Sequence, residues 1–546
     1  AVRGMWSYRN PATDRARQLN AIRNRQNFFC NEFNAQFPWE YGTLPIYGSP
    51  MTHHTYSYYS KNWKEEDEDC FSLKDGKRLI VRDIRTQGQI CFTNPKTKVL
   101  FLKQLREYIR LDRETYKKNG VFPFIYSLTQ NDNSVFCECP GCRESYEKFG
   151  SMSGTMLEFT NAIADEIAME YPEILLEMFA YSKMENPPVG IKASPNVIVL
   201  NAQFGSEWAP SYTRETMRPI TSSVNDASRR KIDEWSSIAR VSFWEYWTMY
   251  HSDTNVTMNL DAIADNMRYY QKLGATGRLA EMEYPLQNVF YTLKIWFGYR
   301  FMYDCTRDPE TEITRYLNAC YGPAAQAMKE LLQYIVKRNA EITGPLNRLS
   351  LLDRSDMDDV FFDTAWRLLD KAEASAGQDA GILRRIGRER AVIGRAKLEA
   401  KKKLRPFDVQ ALYNQIKPHY ENTLRDFYSD KEFKDEMEKL GLCLLKSPQA
   451  FEKIQVAFDF SPLQMKLQNQ AFKQDDSKSD VGQAVCAEQK GEYLEGLHFG
   501  FYWPGSKNYP SVHIPVDKLP KDGNYHWYTL GVQELRPNSY FYTSGD

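Results

Sequence analysis

From residue 1 to about 305, short apolar runs alternate with longer stretches in which apolar residues recur every three or four positions, the pattern of strands alternating with amphipathic helices. Phe124-Ile125-Tyr126-Ser127-Leu128 reads as a strand that runs into the polar loop Gln130-Asn131-Asp132-Asn133. Before it, Asn94-Pro95 supplies an N-cap and a first-turn proline for a helix whose Leu102, Leu105 and Ile109 share one face. After it, Met156, Phe159, Ile163 and Ile167 share the face of another. Further strands are expected at Arg3–Tyr8, Leu175–Tyr181, Val197–Asn201, Val241–Trp247 and Arg278–Glu283. Helices are expected around Asp226–Ile238 and Leu260–Leu273, and one or two weakly marked strands before residue 92. About eight such units favour a (β/α)8 TIM barrel over an open sheet.

Between about residues 306 and 450 the strand signal disappears, and charged helical stretches such as Ala324–Asn339 and Ile382–Lys403 take over. From Ile454 onward the pattern changes again. Val456–Phe460, Gly496–Trp503 and Tyr525–Val532 are short aromatic runs bounded by Pro, Gly and Asn, as in a β-sandwich. Three domains are therefore expected: a barrel over 1–305, an all-helical domain over 306–450 and a β-sandwich-like module over 451–546.

Charge removes several function classes. Lys plus Arg number 70 and Asp plus Glu 71, a net charge of -1, so no field of one sign directs the chain to nucleic acid or an anionic membrane. No apolar run approaches the ~20 residues of a spanning helix. The chain opens Ala1-Val2-Arg3-Gly4 without an initiator Met or a leader pattern, so its start is expected to be an interior or processed end of a longer precursor. Aromatic residues make up 14% of the chain, more than core packing asks for, and suit faces that stack on sugar rings.

In a barrel of this kind the chemistry gathers at the carboxyl ends of the strands. Asp132 follows one strand end, Glu245 lies inside Trp244-Glu245-Tyr246-Trp247, and Glu281 and Glu283 flank Met282. An acid flanked by Trp and Tyr suits a grip on a sugar, and were a glycosidic bond the target, Asp132 would be the general acid with Glu245 or Glu281 as the second carboxylate, since such cleavage needs one protonated and one ionised group on opposite sides of a sugar. Trp244, Tyr246 and Trp247 would form the stacking wall. Arg3, His53, His54, Asn131 and Glu283 are candidate contacts to hydroxyls or a uronate, although each also suits a structural role. The sharpest local signal is Cys137-Glu138-Cys139-Pro140-Gly141-Cys142, for which Cys91 is the candidate fourth partner. Three readings stay open there: a structural zinc site, a disulfide, or free thiols. Four thiolates would leave zinc no open position, so catalysis is expected to need no cofactor. A zinc module for nucleic acid is set aside by the balanced charge.

Gln89-Ile90-Cys91-Phe92-Thr93-Asn94-Pro95, then Gln130-Asn131-Asp132-Asn133 with Cys137-x-Cys139-x-x-Cys142, then Trp244-Glu245-Tyr246 and Tyr321-Gly322, resemble in order and spacing the bacterial family catalogued as domain of unknown function 4838. The resemblance covers about residues 3–330. It implies a glycoside-hydrolase-like barrel related to α-glucuronidases and hexosaminidases, a carbohydrate substrate, and a secreted or periplasmic location, surface attachment included. Family members usually carry a small α/β domain ahead of the barrel. Two departures matter. Hexosaminidase-type barrels that use the substrate's acetamido group carry two adjacent acids where this chain has Asn131-Asp132, so a single acid is expected from this loop, and Glu245 stands where the family often has Asp. The two functions weighed are a glycoside hydrolase and a non-catalytic carbohydrate-binding protein on the same scaffold.

Overall fold

A computed structural model describes residues 2–6, 23, 26, 46–83, 86–203, 214–249, 254–282, 288–343, 346, 354–400, 406–445, 496–502, 511–515 and 540–544. The chain divides into two compact units, residues 1–400 with 414–433, and residues 401–413 with 434–546.

The first unit is built on six parallel strands: β1 (Val2–Trp6), β2 (Ile125–Ser127), β3 (Leu175–Ala180), β4 (Val197–Asn201), β5 (Arg240–Tyr246) and β6 (Gly277–Glu281). Their order in the sheet is β1-β6-β5-β4-β3-β2, and Tyr47 adds a parallel bridge to Ile125 beyond β2. From β2 to β6 each strand neighbours the next in sequence, and β1 pairs with β6. That is the cyclic order of a barrel cut at one point, whereas a doubly wound sheet reverses its order at a switch point. Among the described residues the stretch before residue 92 adds only the Tyr47 bridge to this sheet, and no eighth strand closes the ring. β4, Val-Ile-Val-Leu-Asn, is buried along its whole length because the sheet is covered on both faces.

The crossover helices are α1 (Pro95–Thr115), α2 (Pro140–Phe149), α3 (Met152–Glu170), α4 (Asp226–Ile238), α5 (Leu260–Lys272) and α6 (Tyr291–Tyr303). Asn94 caps α1 by accepting from the Lys96 N–H at 2.9 Å, and Pro95 occupies the first turn, where no N–H is needed. Phe101, Leu102, Leu105 and Ile109 form its buried stripe.

Four further helices, α7 (Pro309–Tyr321), α8 (Ala325–Ala340), α9 (Asp359–Ala376) and α10 (Ala380–Ala400), belong to the same compact unit. They clamp the loops that leave β5 and β6. Asn339 of α8 donates to the Val256 carbonyl at 3.1 Å and accepts from the Met258 N–H at 3.0 Å, while Arg354 donates to Thr257 Oγ1 at 2.8 Å. Glu389 of α10 accepts from the Phe290 N–H at 2.6 Å, just ahead of α6, and from the Tyr321 hydroxyl at 3.2 Å. α11 (Pro406–Phe427) and α12 (Asp430–Leu445) are each divided between the two units.

Glu389 makes the clamp sensitive to pH. Burial pushes its carboxyl up to about 7, although the Phe290 N–H, Arg388 and the Tyr321 hydroxyl pull the other way. The folded-state value lies above the unfolded one, so between about pH 4.5 and 7 the unfolded chain ionises first and stability falls as pH rises. Glu389→Gln is expected to behave like the parent below pH 4.5 and to be more stable by about 3 kcal/mol above pH 7. Unfolding midpoints of both proteins at pH 4.5 and 8 check this. Equal midpoints at pH 8 would remove Glu389 as the source of the slope.

In the second unit, β7 (Gly496–Tyr502) lies between β8 (Ser511–Pro515) and β9 (Tyr540–Ser544) in an antiparallel sheet. The other two runs expected for a sandwich, Val456–Phe460 and Tyr525–Val532, lie outside the described residues. Among the described residues no helix is long and apolar enough to cross a membrane.

Candidate active site on the inner face of the sheet

Side chains of a strand alternate between faces, and that parity decides which polar residues meet. On β5, Trp244 and Tyr246 pack in one core with Tyr47, Ile125, Phe179, Ile198, Leu200 and Leu279, which defines the inner face. Phe243 and Glu245 point to the helices. Phe243 stacks on Tyr270 of α5 with ring centroids 3.6 Å apart. Glu245, 0% exposed, accepts from Arg214 at 2.6 Å, from Asn266 at 2.8 Å and from the Tyr270 hydroxyl. Glu245 therefore does not stand beside Asp132 or Glu281, because one residue of parity puts it behind the sheet.

The inner face holds an acid that the sequence reading passed over. Glu177 lies on β3 between Leu175 and Phe179 and is 0% exposed. The Tyr47 hydroxyl donates to its Oε2 at 2.8 Å, and His53 Nε2 lies 3.1 Å from its Oε1. The His53 ring is packed edge-on to Trp244 at 4.8 Å and stacked on Phe179 at 5.5 Å. Trp244 in turn donates its indole N–H to Glu281 Oε1 at 3.0 Å. A continuous chain, Glu177–His53–Trp244–Glu281, thus crosses the inner face from β3 to the carboxyl end of β6. The signal in the sequence was the period-two placement of one carboxylate in an otherwise apolar strand.

Phe179 links this chain to His54 and Tyr181, and Tyr181 links it to Asp132. The His54 backbone takes φ of 59°, and its N–H donates to Thr129 Oγ1 at 2.8 Å. Its Nδ1 lies 2.8 Å from the Gln130 carbonyl. A carbonyl only accepts, so Nδ1 carries the proton, and the neutral ring has Nε2 available as an acceptor. Burial pushes the imidazole below its usual value, opposed by the Asp132 charge and the Gln130 bond. The His54 ring packs on Phe179 and Tyr181, and the Tyr181 hydroxyl donates to Asp132 Oδ1 at 3.1 Å. Asp132 itself is exposed, where a ligand can reach it.

The remaining expected residues are distributed differently. Asn131 is fully buried and latches its loop: its Oδ1 accepts from the Ser57 N–H, its amide donates to the Gly88 carbonyl, and its N–H donates to Gln89 Oε1. Trp247 is fully buried, and its carbonyl accepts from Lys294 Nζ at 2.8 Å. Arg3 occupies the middle of β1, in register with Arg278. Glu283 lies outside the described residues.

Beside the Asp132 loop, the sulfurs of Cys91, Cys137, Cys139 and Cys142 all lie within 4.8 Å of one another, and all four residues are buried. Cys91 Sγ is 3.6 Å from Cys139 Sγ and 3.8 Å from Cys142 Sγ, and none of the four is in a disulfide. Zinc–sulfur bonds of about 2.3 Å in a tetrahedron set sulfurs about 3.8 Å apart, so the cluster has the dimensions of a tetrathiolate metal site. Polar donors surround it. The Leu73 N–H donates to Cys137 Sγ at 3.3 Å, the Thr93 hydroxyl lies 3.2 Å from Cys142 Sγ, and Arg78 Nη1 lies 3.9 Å from Cys137 Sγ. Such groups offset thiolate charge and orient ligands.

Fold and inner face together define a parallel-sheet α/β protein whose strand ends gather carboxylates among aromatic rings. The chain belongs to the family described as Domain of unknown function (DUF4838), whose profile matches residues 7–333, more than half of its length. No curated protein matches it. Among solved structures, it is similar to a GH138 enzyme targeting pectin rhamnogalacturonan II, with 11% identity, 78% of this chain and 63% of that chain covered, and a TM-score of 0.31. It is also similar to a mutant O-GlcNAc hydrolase of Thermobaculum terrenum, with 9% identity, 87% and 96% coverage and a TM-score of 0.36. A third is the family 89 glycoside hydrolase from Clostridium perfringens in complex with PUGNAc, with 10% identity, 65% and 38% coverage and a TM-score of 0.34. The chain therefore spans under two thirds of the first and third of these.

Proposed function

We propose that this protein is a glycoside hydrolase acting on oligosaccharide or polysaccharide fragments held between Asp132 and Glu281, on a (β/α)8 barrel, with the C-terminal sheet as part of a β-sandwich. The observation that carries the reading is the chain Glu177–His53–Trp244–Glu281 across an aromatic inner face, with Asp132 joined to it through Tyr181 and Phe179. Asp132, exposed and touched by the Tyr181 hydroxyl, is the general acid to the leaving oxygen. Glu281, oriented by the Trp244 N–H, is the ionised partner that stabilises or attacks the developing oxocarbenium centre. Glu177 fixes His53, whose ring is set to meet a sugar hydroxyl, and Tyr47, Phe179 and Tyr246 provide apolar walls. Glu245 is a structural acid in this scheme. The four-cysteine group holds zinc, which supplies structure and takes no part in the reaction. Action on glycans outside the cytoplasm goes with this reading, and fractionation of the native host tests it.

The test is a broad glycan panel with product analysis, run with the parent and Asp132→Asn. Hydrolysis by the parent, with sugar binding retained but turnover lost in Asp132→Asn, is the expected result. Binding by the parent without turnover of any glycan would make the protein a non-catalytic carbohydrate binder instead.

A further inference from the structure

We infer that a divalent metal ion held by Cys91, Cys137, Cys139 and Cys142 sets the position of the Asp132 loop, so that metal occupancy controls the site above the strands. The control of activity rests on the glycosidase reading; the control of the loop does not.

The argument is one of connection. Cys91 closes the segment Gly88-Gln89-Ile90-Cys91, and Cys137 follows the loop Gln130-Asn131-Asp132-Asn133 by four residues. The two segments are stitched together on both sides of Asp132. Gln89 accepts from the Asn131 N–H at 2.8 Å and donates to the Asn131 carbonyl at 2.9 Å, to the Asn133 carbonyl at 3.3 Å and to Asn133 Oδ1 at 3.2 Å. The Gly88 N–H donates to Asn133 Oδ1 at 3.3 Å. Asp132 is thus the exposed apex between two anchored asparagines, and both anchors lead within a few residues to a cysteine of the cluster. From below, the Leu73 N–H donates to Cys137 Sγ, the Glu138 N–H donates to the Leu73 carbonyl, and the Cys91 N–H donates to the Cys70 carbonyl. The loop between β2 and α2 carries no helix or strand of its own over residues 128–139, so these bonds and the sulfurs hold it on one side, and bonds to Ser57, His54 and Tyr181 hold it on the other.

The geometry of the donors fits a cation. Four buried sulfurs, all within 4.8 Å of one another, have the spacing of a tetrathiolate site. A soft divalent ion displaces the thiol protons into solvent and binds all four. With every position taken by sulfur, no site is left for water or substrate, which separates this metal from the reaction and leaves it the loop as its object.

The experiment uses the whole protein purified under reducing conditions. Metal content by elemental analysis is expected to give one zinc per chain, and cobalt exchanged into the site is expected to show thiolate-to-cobalt charge-transfer bands with intense tetrahedral d–d bands. Hydrogen exchange before and after chelation is expected to show protection lost over residues 129–139 and kept in β3 to β6, with recovery when zinc is restored. Gln89→Ala, which cuts the stitch but leaves the sulfurs, is expected to keep the metal and loosen the same loop. On a glycan that the parent hydrolyses, chelation is expected to lower turnover about a hundredfold, since catalytic groups displaced by about 1 Å lose that much. Absence of thiolate-bound metal overturns the inference, and so does a bound metal whose removal leaves exchange at 129–139 unchanged. If metal and loop respond together while no glycan is ever hydrolysed, the loop control stands and the glycosidase reading falls.

Discussion

Glu281→Gln is expected to lower kcat by about a thousandfold, within the 10²–10⁴ range of lost acid or base groups, while KM and thermal stability stay near parental values. Gln is nearly the same shape as Glu, and its carbonyl oxygen can still accept from the Trp244 N–H that holds Glu281 at 3.0 Å. What disappears is the negative charge at the carboxyl end of β6. A group that stabilises charge only in the transition state lowers kcat when removed and leaves substrate binding alone. The comparison with Asp132→Asn separates the two roles. An acid is needed most when the leaving group is a poor one, so an aryl glycoside with an acidic phenol should restore much of the Asp132→Asn rate. The Glu281→Gln rate should stay low with either leaving group, because the developing positive charge on the sugar is common to both. A Glu281→Gln enzyme within a few-fold of the parent on both substrates would sink the assignment.

The positions of the strands and helices were legible because parallel strands buried on both faces read as near-continuous apolar runs, and amphipathic helices as stripes. That same continuity hid the parity of the strands. In Trp244-Glu245-Tyr246-Trp247 no polar–apolar alternation marks the inner side, and what draws Glu245 outward is Arg214, Asn266 and Tyr270, residues that no local pattern connects to it. Glu177 was missed for a related reason. A lone acid inside Leu-Leu-Glu-Met-Phe-Ala looks like a buried strand with an anomaly, and its meaning comes from His53 and Tyr47, more than a hundred residues away in the chain. The cysteines were legible because their chemistry is carried by identity and spacing, and Cys91 could be joined to them once the strand and helix beside it were read. Asp132 was legible as a polar strand end, whereas its latching by Gln89 was not, since glutamine carries no pattern.

Glu245→Ala is expected to cost about 3–5 kcal/mol of stability, the cost of leaving a buried charge without its partner. Arg214 is 1% exposed, so its guanidinium has little water to turn to. Burial alone would push Arg214 down, but Glu245 and Tyr270 together, through charge and hydrogen bonds, outweigh it and hold the guanidinium above its usual value. Removal of the carboxylate takes the ion-pair partner from that buried charge, and the acceptor from the Asn266 amide and the Tyr270 hydroxyl that donated to the same acid. Arg214→Ala should cost less than Glu245→Ala, because the Asn266 and Tyr270 donors still satisfy the acid. Combining Arg214→Met with Glu245→Leu should recover much of the loss, since an apolar pair of similar volume carries no desolvation cost. The readouts are chemical and thermal unfolding of the single and double variants, together with kcat normalised to the folded fraction. A structural acid predicts an unstable enzyme with parental kcat per folded molecule, and a double variant with a favourable coupling energy. A Glu245→Ala protein as stable as the parent but inactive would place this carboxylate in the chemistry and return the second acid to β5.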